Sequence, residues 1–152
     1  MIRFLSFLLF LLCCHSPMGM AQRKKDMKDY WIYKYLSVSF PLESIRINST
    51  FGSRVDPFTG KHKQHKGLDL RARYEEVLSM FDGYVKGVGY DSGSGKYITM
   101  QYGDYTVSYC HLSEIWVSDN QKVCAGDPIG ISGTTGRSTG PHLHITCRLR
   151  GR

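Results

Sequence analysis

His142-Leu143-His144-Ile145-Thr146-Cys147 is the stretch that decides the fold prediction, because it places strand-forming residues directly after two closely spaced histidines. In a strand, residues two apart point to the same face, with their Cα atoms about 6 to 7 Å apart. His142 and His144 would therefore face one cleft while Leu143 faces the core. Imidazole is a common metal ligand and a general base near neutral pH. The pair predicts a metal site or a proton relay, although histidines on a surface edge strand explain this stretch equally well.

A second histidine-containing segment lies upstream, in Lys61–Leu70, where His65 and Asp69 are four positions apart. The alternation of Leu68 and Leu70 with Asp69, together with Gly67, favours a strand over a helix. The even spacing then leaves His65 and Asp69 on one face, where an imidazole and a carboxylate can bind zinc together. The alternative for this pair in isolation is a surface salt bridge.

The composition of the chain and the turn residues between its apolar runs predict one mainly β domain with antiparallel sheets. The chain has 152 residues, of which 16 are glycine and 10 tyrosine, and its apolar runs are short and separated by turn residues. Asp91–Gly95 and Gly103-Asp104 are predicted hairpin turns, and Phe51–Gly60 is predicted as a loop. The strand candidates are Val77–Met80, Gly83–Val88, Tyr97–Tyr102, Tyr105–His111, Val117–Gly126 and Ile129–Gly133.

The charge balance favours an anionic partner but does not identify one. The formal net charge is +7, which attracts nucleic acid, anionic lipid or an acidic wall polymer. A nucleic-acid binder has only this charge in its favour, since no recognised binding module is present. The glycines after Asp91 precede no helix pattern and no GK[ST] element, so the sequence gives little support to a nucleotide site.

The N-terminal residues have the pattern of a secretory signal peptide. Arg3 precedes an apolar run from Phe4 to Leu12, and Gly19-Met20-Ala21 provides small residues at the spacing of a cleavage site. We predict a signal peptide at 1–21, a leader at 22–39 and the folded domain at 40–152, with export to the periplasm or the extracellular space. The apolar run is too short for a stable membrane span, and lipid attachment at Cys13 or Cys14 is a weaker alternative.

Three cysteines remain after the predicted cleavage: Cys110, Cys124 and Cys147. Their odd number leaves at least one thiol unpaired, and the pairing cannot be assigned from sequence. Cys110 and Cys147 lie on the strand faces opposite the neighbouring histidines, so we predict that both are core residues. A zinc–thiolate site is disfavoured because no two cysteines have close ligand spacing.

Taken in order, several motifs resemble the lysostaphin-like, or LytM-type, zinc metallopeptidases. The matching segments cover about residues 40–149. They are FGSRVDPFTG at Phe51–Gly60, HxxxD at His65 and Asp69, DGYV at Asp82–Val85, YxHL ending at Leu112, GDPIGISGTTG at Gly126–Gly136, and GRSTGPHLH ending at His144.

The resemblance implies an antiparallel β fold with an open groove, in which His65, Asp69 and His144 bind one Zn²⁺. Three protein ligands leave a fourth position for water, whose pKa zinc lowers. His111 and His142 are implied to face the scissile bond without binding zinc. His142 would take a proton from the attacking water, and His111 would donate to the oxyanion or assist protonation.

The resemblance also implies the substrate, which is the peptide cross-links of bacterial peptidoglycan. The FGSRVDPFTG loop looks more like that of relatives from bacteria with an outer membrane, which implies D-Ala–diaminopimelate bonds rather than glycine bridges. We expect a monomer without nucleic-acid partners, and we assign no role to His62. The alternative function is a catalytically inactive wall-binding or amidase-activating module, but all five positions that carry the chemistry are intact.

Overall fold

The computed structural model describes residues 37–151, which form twelve β-strands and no helix within that range. Most of the strands are short, as the frequent glycines and other turn residues predict. They are β1 Ile47–Ser49, β2 Gly52–Val55, β3 His62–His65, β4 Leu68–Arg71, β5 Glu76–Leu78, β6 Gly83–Asp91, β7 Gly95–Tyr102, β8 Tyr105–Leu112, β9 Glu114–Ile115, β10 Lys122–Val123, β11 Pro128–Ile131 and β12 His142–Leu149.

These strands form three antiparallel sheets, which confirms the predicted mainly β class. The largest has seven strands in the order β1-β4-β12-β8-β7-β6-β10, and a three-stranded sheet has the order β5-β11-β9. The hairpin β2-β3 forms a sheet of its own. One buried apolar cluster contains residues of both larger sheets, among them Leu70, Ile98, Val77 and Ile129.

Strand β12 occupies the interior of the large sheet, between β4 and β8. Leu143 is fully buried and Ile145 nearly so, whereas His142 and His144 point to the other, partly exposed face. The predicted alternation is therefore confirmed. Because β12 is bonded on both sides, the two histidines sit on a rigid part of the sheet rather than on an edge.

The two predicted hairpins are also confirmed. Strands β6 and β7 are joined through residues 92–94, and β7 and β8 through Gly103-Asp104, where Gly103 has a positive φ of 57°. Three buried hydroxyl groups, two of them on β7 and β8, form a hydrogen-bonded chain. Ser79 Oγ lies 2.8 Å from Tyr102 Oη, and Tyr102 Oη lies 3.0 Å from Tyr109 Oη. Buried hydroxyls that bond one another in this way escape the cost of an unpaired polar group.

Two of the predicted local structures are wrong. Part of the expected loop Phe51–Gly60 forms β2, because residues 52–55 pair with β3 and only the turn after Val55 remains irregular. The expected strand Val117–Gly126 is reduced to Lys122–Val123. A turn interrupts it at Asn120, whose φ is +64°, and Asp119 accepts a hydrogen bond from Val88 N of the neighbouring strand.

The sequence pattern indicated that His65 and Asp69 share one strand, but the structure places them in different strands. His65 ends β3 in the small hairpin, and Asp69 lies in β4 of the large sheet. The chain breaks its pairing at Lys66-Gly67, where the backbone passes close to β12. The two side chains are nevertheless brought together, because the break turns both strands toward the same cleft.

The predicted signal peptide at 1–21 and most of the predicted leader at 22–39 lie outside the described residues. The last leader residues do contact the domain: Ser39 N donates to Met80 O, and Val38 forms an isolated bridge with Phe81. Within residues 37–151, no helix has the length and apolarity needed to cross a bilayer.

Candidate metal centre

Three side chains from three strands converge on one point of the cleft: His65 of β3, Asp69 of β4 and His144 of β12. Asp69 and His144 are direct partners in the β4–β12 register. One candidate ligand atom from each residue lies within 4.8 Å of the others. His65 and Asp69 are buried and His144 is half-buried, so the cluster lies at the floor of the cleft.

The distances between these ligand atoms suit a tetrahedral metal ion. Around zinc with ligands at about 2.0–2.1 Å, two ligand atoms lie about 3.3 Å apart. His65 Nε2 lies 3.2 Å from His144 Nδ1 and 3.2 Å from Asp69 Oδ1. The third distance, 2.7 Å from His144 Nδ1 to Asp69 Oδ1, is that of a hydrogen bond. The donor set of two nitrogens and one oxygen is one that catalytic zinc uses.

Neighbouring groups orient two of the three candidate ligands. His65 Nδ1 donates to Thr50 O at 2.8 Å, which leaves Nε2 as the unprotonated atom that faces the cluster. The Arg54 guanidinium lies 3.2 Å from Asp69 Oδ2, so Oδ1 is the carboxylate oxygen turned toward the histidines. Such outer contacts fix the orientation and protonation of ligands around a metal.

Asp69 keeps its charge despite its burial. Desolvation raises the pKa of the carboxyl, but the hydrogen bond from His144 and the charges of the surrounding histidines outweigh that effect, and the pKa falls below its ordinary value. An ionised carboxylate is the form that binds a cation.

Gly67 leaves room for the third ligand. A Cβ atom at this position would lie 2.5 Å from Ile145 O, 2.6 Å from His144 Cε1 and 2.7 Å from His144 Nε2. No side chain fits there without displacing either the backbone of β12 or the imidazole itself. Gly67 is therefore a structural requirement of the cluster, whereas the sequence pattern used it only as an argument for a strand over a helix.

The two remaining histidines of the prediction lie beside this cluster. The His111 and His142 ring centroids are 4.7 Å apart, and those of His111 and His144 are 5.8 Å apart. His142 Nε2 lies 3.7 Å from Asp69 Oδ1. The structure thus brings all five predicted site residues into one cleft. The candidate ligand atoms of His65, Asp69 and His144 lie next to one another. His111 and His142 lie beside this cluster.

Two carbonyl oxygens of loop 134–141 determine which ring nitrogen carries the proton in neutral His111 and His142. His111 Nδ1 donates to Thr135 O at 2.8 Å, and His142 Nδ1 donates to Gly140 O at 2.8 Å. A carbonyl oxygen can only accept, so in each neutral ring the proton is on Nδ1 and Nε2 carries a lone pair. Each ring therefore presents an acceptor to the cleft.

His111 has two further properties of a residue held in place for chemistry. Its φ is +64°, in the left-handed region that non-glycine residues rarely adopt. Burial lowers its pKa, and the nearby charges of His142 and His144 act in the same direction against the hydrogen bond to Thr135. His111 is thus kept neutral at neutral pH.

The cleft continues into a groove of about 700 Å³, walled by the β2–β3 hairpin on one side and by loop 134–141 on the other. Cationic side chains outnumber anionic ones among the residues that line it. The charged lining residues other than histidine are Arg54, Asp56, Lys63, Lys66, Asp69 and Arg137.

The cysteine predictions are right in one case and wrong in another. Cys110 is buried, as predicted, but Cys147 is exposed, because β12 extends beyond the buried part of the sheet. Cys124 is exposed as well, and all three described cysteines are free thiols. His62 is exposed at the start of β3.

Sequence reasoning missed the residues that hold the site rather than form it. Arg54, Gly67 and Thr135 orient or accommodate the candidate ligands and bases. The motif FGSRVDPFTG contains Arg54, and GDPIGISGTTG contains Thr135, but neither motif states which atom its residues contact. That information requires the pairing of segments that lie far apart in the chain.

An antiparallel β fold in which a histidine–carboxylate cluster and two further histidines share one groove is the arrangement found in metallopeptidases. Within that class the chain belongs to peptidase family M23, whose model matches residues 63–152. The resemblance to lysostaphin-like peptidases is thereby confirmed. The family match begins inside β3, so it includes all five predicted site residues.

Individual relatives agree with this assignment. The chain is 40% identical over 117 residues to peptidoglycan DD-endopeptidase ShyA of Vibrio cholerae, covering 74% of this chain and 27% of that protein. Among solved structures it is similar to a zinc-containing peptidase from Vibrio cholerae, with a TM-score of 0.68, 35% identity and coverage of 74% and 36%. The catalytic domain of lysostaphin from Staphylococcus simulans gives a TM-score of 0.65, 29% identity and coverage of 70% and 81%. The chain spans about a quarter of the length of the curated relatives it matches.

Proposed function

We propose that this chain is a zinc-dependent endopeptidase that hydrolyses peptide cross-links in bacterial peptidoglycan. The single observation that carries the proposal is the cluster of His65 Nε2, Asp69 Oδ1 and His144 Nδ1, 2.7 to 3.2 Å apart, at the floor of an open groove. A zinc ion held by these three atoms would supply Lewis acidity at the scissile carbonyl and lower the pKa of a water.

His142 is the proposed general base. Its Nε2 carries a lone pair in the neutral ring and is 3.7 Å from Asp69 Oδ1, so it lies next to the proposed metal position. It would take a proton from the water as the oxygen adds to the carbonyl carbon. When the peptide C–N bond breaks, the same nitrogen would return that proton to the leaving amine.

The hydrogen-bond direction changes the role that we expect for His111. A donor to the oxyanion needs a proton on Nε2, but His111 uses its Nδ1 proton on Thr135 O and burial lowers the pKa of the ring. The neutral ring can only accept at Nε2. We therefore propose that His111 first orients the attacking water as an acceptor. Once the oxygen has added to the carbonyl carbon, His111 Nε2 would take the second proton of that oxygen and give it to the leaving amine, so that the products are a carboxylate and an ammonium group.

Peptidoglycan is the proposed substrate on two grounds. The first is the similarity to ShyA, whose name is peptidoglycan DD-endopeptidase, together with the FGSRVDPFTG loop. These favour a bond between two D-centres, as in D-Ala–diaminopimelate, over a glycine bridge. The second is charge, since a groove with more cationic than anionic side chains suits a substrate that carries carboxylates.

The proposal includes export, because the substrate lies outside the cytoplasmic membrane. The basic residue Arg3, the apolar run after it and the small residues before Gln22 support a cleaved secretory signal. Fractionation of cells that produce the tagged full chain would test this. Retention of the uncleaved chain in the cytoplasm would contradict it.

Digestion of purified muropeptides, followed by mass analysis of the products, tests the reaction. The zinc-loaded protein is expected to convert D-Ala–diaminopimelate dimers into monomers, and removal of zinc with a chelator is expected to stop the reaction until zinc is restored. His144→Ala serves as the inactive control. Binding to sacculi without any new product would instead favour the inactive wall-binding module, and cleavage of glycine-bridged peptides alone would reassign the substrate.

A further inference from the structure

Asp56 and Arg137 join the two walls of the groove, although 81 positions separate them in the chain. Arg137 Nη2 lies 3.1 Å from both carboxylate oxygens of Asp56. Asp56 is buried at the turn after β2, and Phe58 N and Thr59 N donate to its Oδ1 at 2.8 and 3.0 Å. These backbone hydrogen bonds, led by that from Phe58, and the charge of Arg137 hold the pKa of Asp56 below its ordinary value.

Arg137 has further contacts that fix its direction. Its guanidinium carbon lies 4.5 Å from the centroid of the Phe58 ring, in a cation–π arrangement. Its backbone N donates to Gly93 O at 3.1 Å. The side chain thus crosses from loop 134–141 to the hairpin turn, where it meets both an anion and an aromatic face.

The position of Arg137 in its own loop is what connects this bridge to the chemistry. Thr135 O, two residues before it, accepts from His111 Nδ1, and Gly140 O, three residues after it, accepts from His142 Nδ1. Ser138, directly next to Arg137, places its hydroxyl 2.7 Å from Gly140 O and 3.3 Å from His142 Nδ1. Displacement of Arg137 would move the stretch of the loop that follows it, and with it the Gly140 carbonyl that orients His142.

The two ends of the loop are not equally held. Thr135 is fixed by its hydroxyl, which donates to Leu112 O at 2.7 Å and accepts from Lys96 N at 2.9 Å. In contrast, residues 138–140 bond to Thr134, to Gly136, to one another and to His142, all within the loop or at the start of β12. The bridge from Arg137 to Asp56 is therefore the attachment nearest to the His142 side of the loop.

We propose that Asp56 and Arg137 act as a positioning pair, which anchors the loop at residue 137 to the opposite groove wall so that Gly140 O holds His142 with Nε2 facing the cleft, beside the His111 ring that Thr135 O holds. The inference rests on the proposed function for its catalytic consequence. Its structural part, the control of imidazole orientation, does not. Arg137 is 44% exposed, so the pair contributes little to folding compared with its effect on orientation.

The test compares Arg137→Gln with Arg150→Gln in the zinc-loaded protein. Arg150 makes a similar guanidinium contact with Asp104, at 2.8 and 3.1 Å, but both residues are exposed and neither lines the groove. Both variants are expected to keep one zinc per chain and a similar melting temperature. Only Arg137→Gln is expected to lose kcat on muropeptide dimers, by about 10- to 100-fold, with a smaller change in KM, because misplacement of a reacting group acts on turnover.

A nitrogen-resolved NMR spectrum of the imidazoles gives a readout that does not depend on activity. The wild type is expected to show His111 and His142 with protonated Nδ1, and Arg137→Gln is expected to show a mixture of tautomers for His142. If the wild type cleaves no muropeptide, the proposed function fails, and this spectrum still decides the positioning role. Unchanged spectra and unchanged kcat in Arg137→Gln would overturn the inference.

A second variant separates the pair from substrate binding. Asp56→Asn keeps an amide oxygen for Phe58 N and Thr59 N but loses the charge that holds Arg137. It is expected to reproduce the loss in kcat, and the double variant is expected to lose no more than either single one, because both remove the same contact. Additive losses, or a rise in KM alone that Arg137→Lys restores, would show instead that Arg137 binds substrate directly and would overturn the positioning role.

Discussion

His65 Nε2 and His144 Nδ1 lie 3.2 Å apart, although 79 positions separate the two residues in the chain. His65 ends a hairpin outside the main sheet, whereas His144 belongs to an interior strand of that sheet. Their contact therefore depends on tertiary structure, and each can be removed without altering the strand that carries the other. The proposed metal-binding and proton-transfer roles belong to different residues, so single substitutions can test them separately.

His144→Ala is expected to lose both zinc and activity, because it deletes one of the three proposed ligands. His142→Ala is expected to keep zinc and to lose turnover by about 100- to 10,000-fold, the range of general base catalysis. Elemental analysis of the dialysed proteins and digestion of muropeptide dimers measure the two effects. Loss of zinc in His142→Ala would make His142 a ligand and would contradict the assignment.

Gly67→Ala is expected to weaken zinc binding and to destabilise the fold by about 1 to 3 kcal/mol, the range for overpacking in a tight site. The added methyl would lie 2.5 Å from Ile145 O and 2.6 Å from His144 Cε1, so either β12 or the imidazole must move. Competition with a chromogenic chelator gives the zinc affinity, and urea unfolding gives the stability.

Gly87→Ala is the matched control for this substitution. Gly87 also lies in the strand-rich part of the chain, but an added Cβ would meet no atom within 4 Å. We expect wild-type zinc affinity in Gly87→Ala. Equal losses of affinity in the two variants would show that glycine flexibility, rather than space for His144, explains the effect.

The five predicted site residues lie in one cleft, and their motifs are short enough to be read from the sequence. The alternation in His142–Cys147 places two histidines on one face, and the structure bears this out for His142 and His144. His65 and Asp69 do face one cleft, as predicted. The reason given for this was wrong, because the two residues lie in different strands. Their even spacing suited a single strand, and nothing local marks the change of sheet at Gly67.

Residues that act through distant partners could not be predicted in this way. Arg54 is half of an ion pair whose other half lies in another sheet, and the exposure of Cys147 depends on where β12 leaves the covered part of the structure. Strand alternation assigns a face but not its burial, which depends on what packs against that face. The roles of Asp56 and Arg137 likewise depend on a contact across the groove.

Arg54→Gln is expected to weaken zinc binding by about 10- to 100-fold, the usual effect of removing an outer contact to a metal ligand. Its guanidinium lies 3.2 Å from Asp69 Oδ2 and leaves Oδ1 to face the histidines, so its loss would free the carboxylate to rotate. The affinity is measured by chelator competition, with Arg150→Gln as the control for loss of an arginine. Tighter zinc binding in Arg54→Gln would show that removal of a positive charge outweighs the loss of orientation.

Cys110 is expected to make the stability of the metal-free protein fall at alkaline pH. Burial raises the pKa of its thiol to about 11, from 9.0 when exposed. The unfolded chain therefore loses this proton first, and stability is lost as pH rises from 9 through 11, by about 2 to 3 kcal/mol in total. Urea unfolding at a series of pH values up to about 9.5, before unfolded tyrosines ionise, measures the slope. Cys110→Ala is expected to flatten it, whereas Cys124→Ala, which removes an exposed thiol, is expected to leave it unchanged; an unchanged slope in Cys110→Ala would assign the decline to other groups.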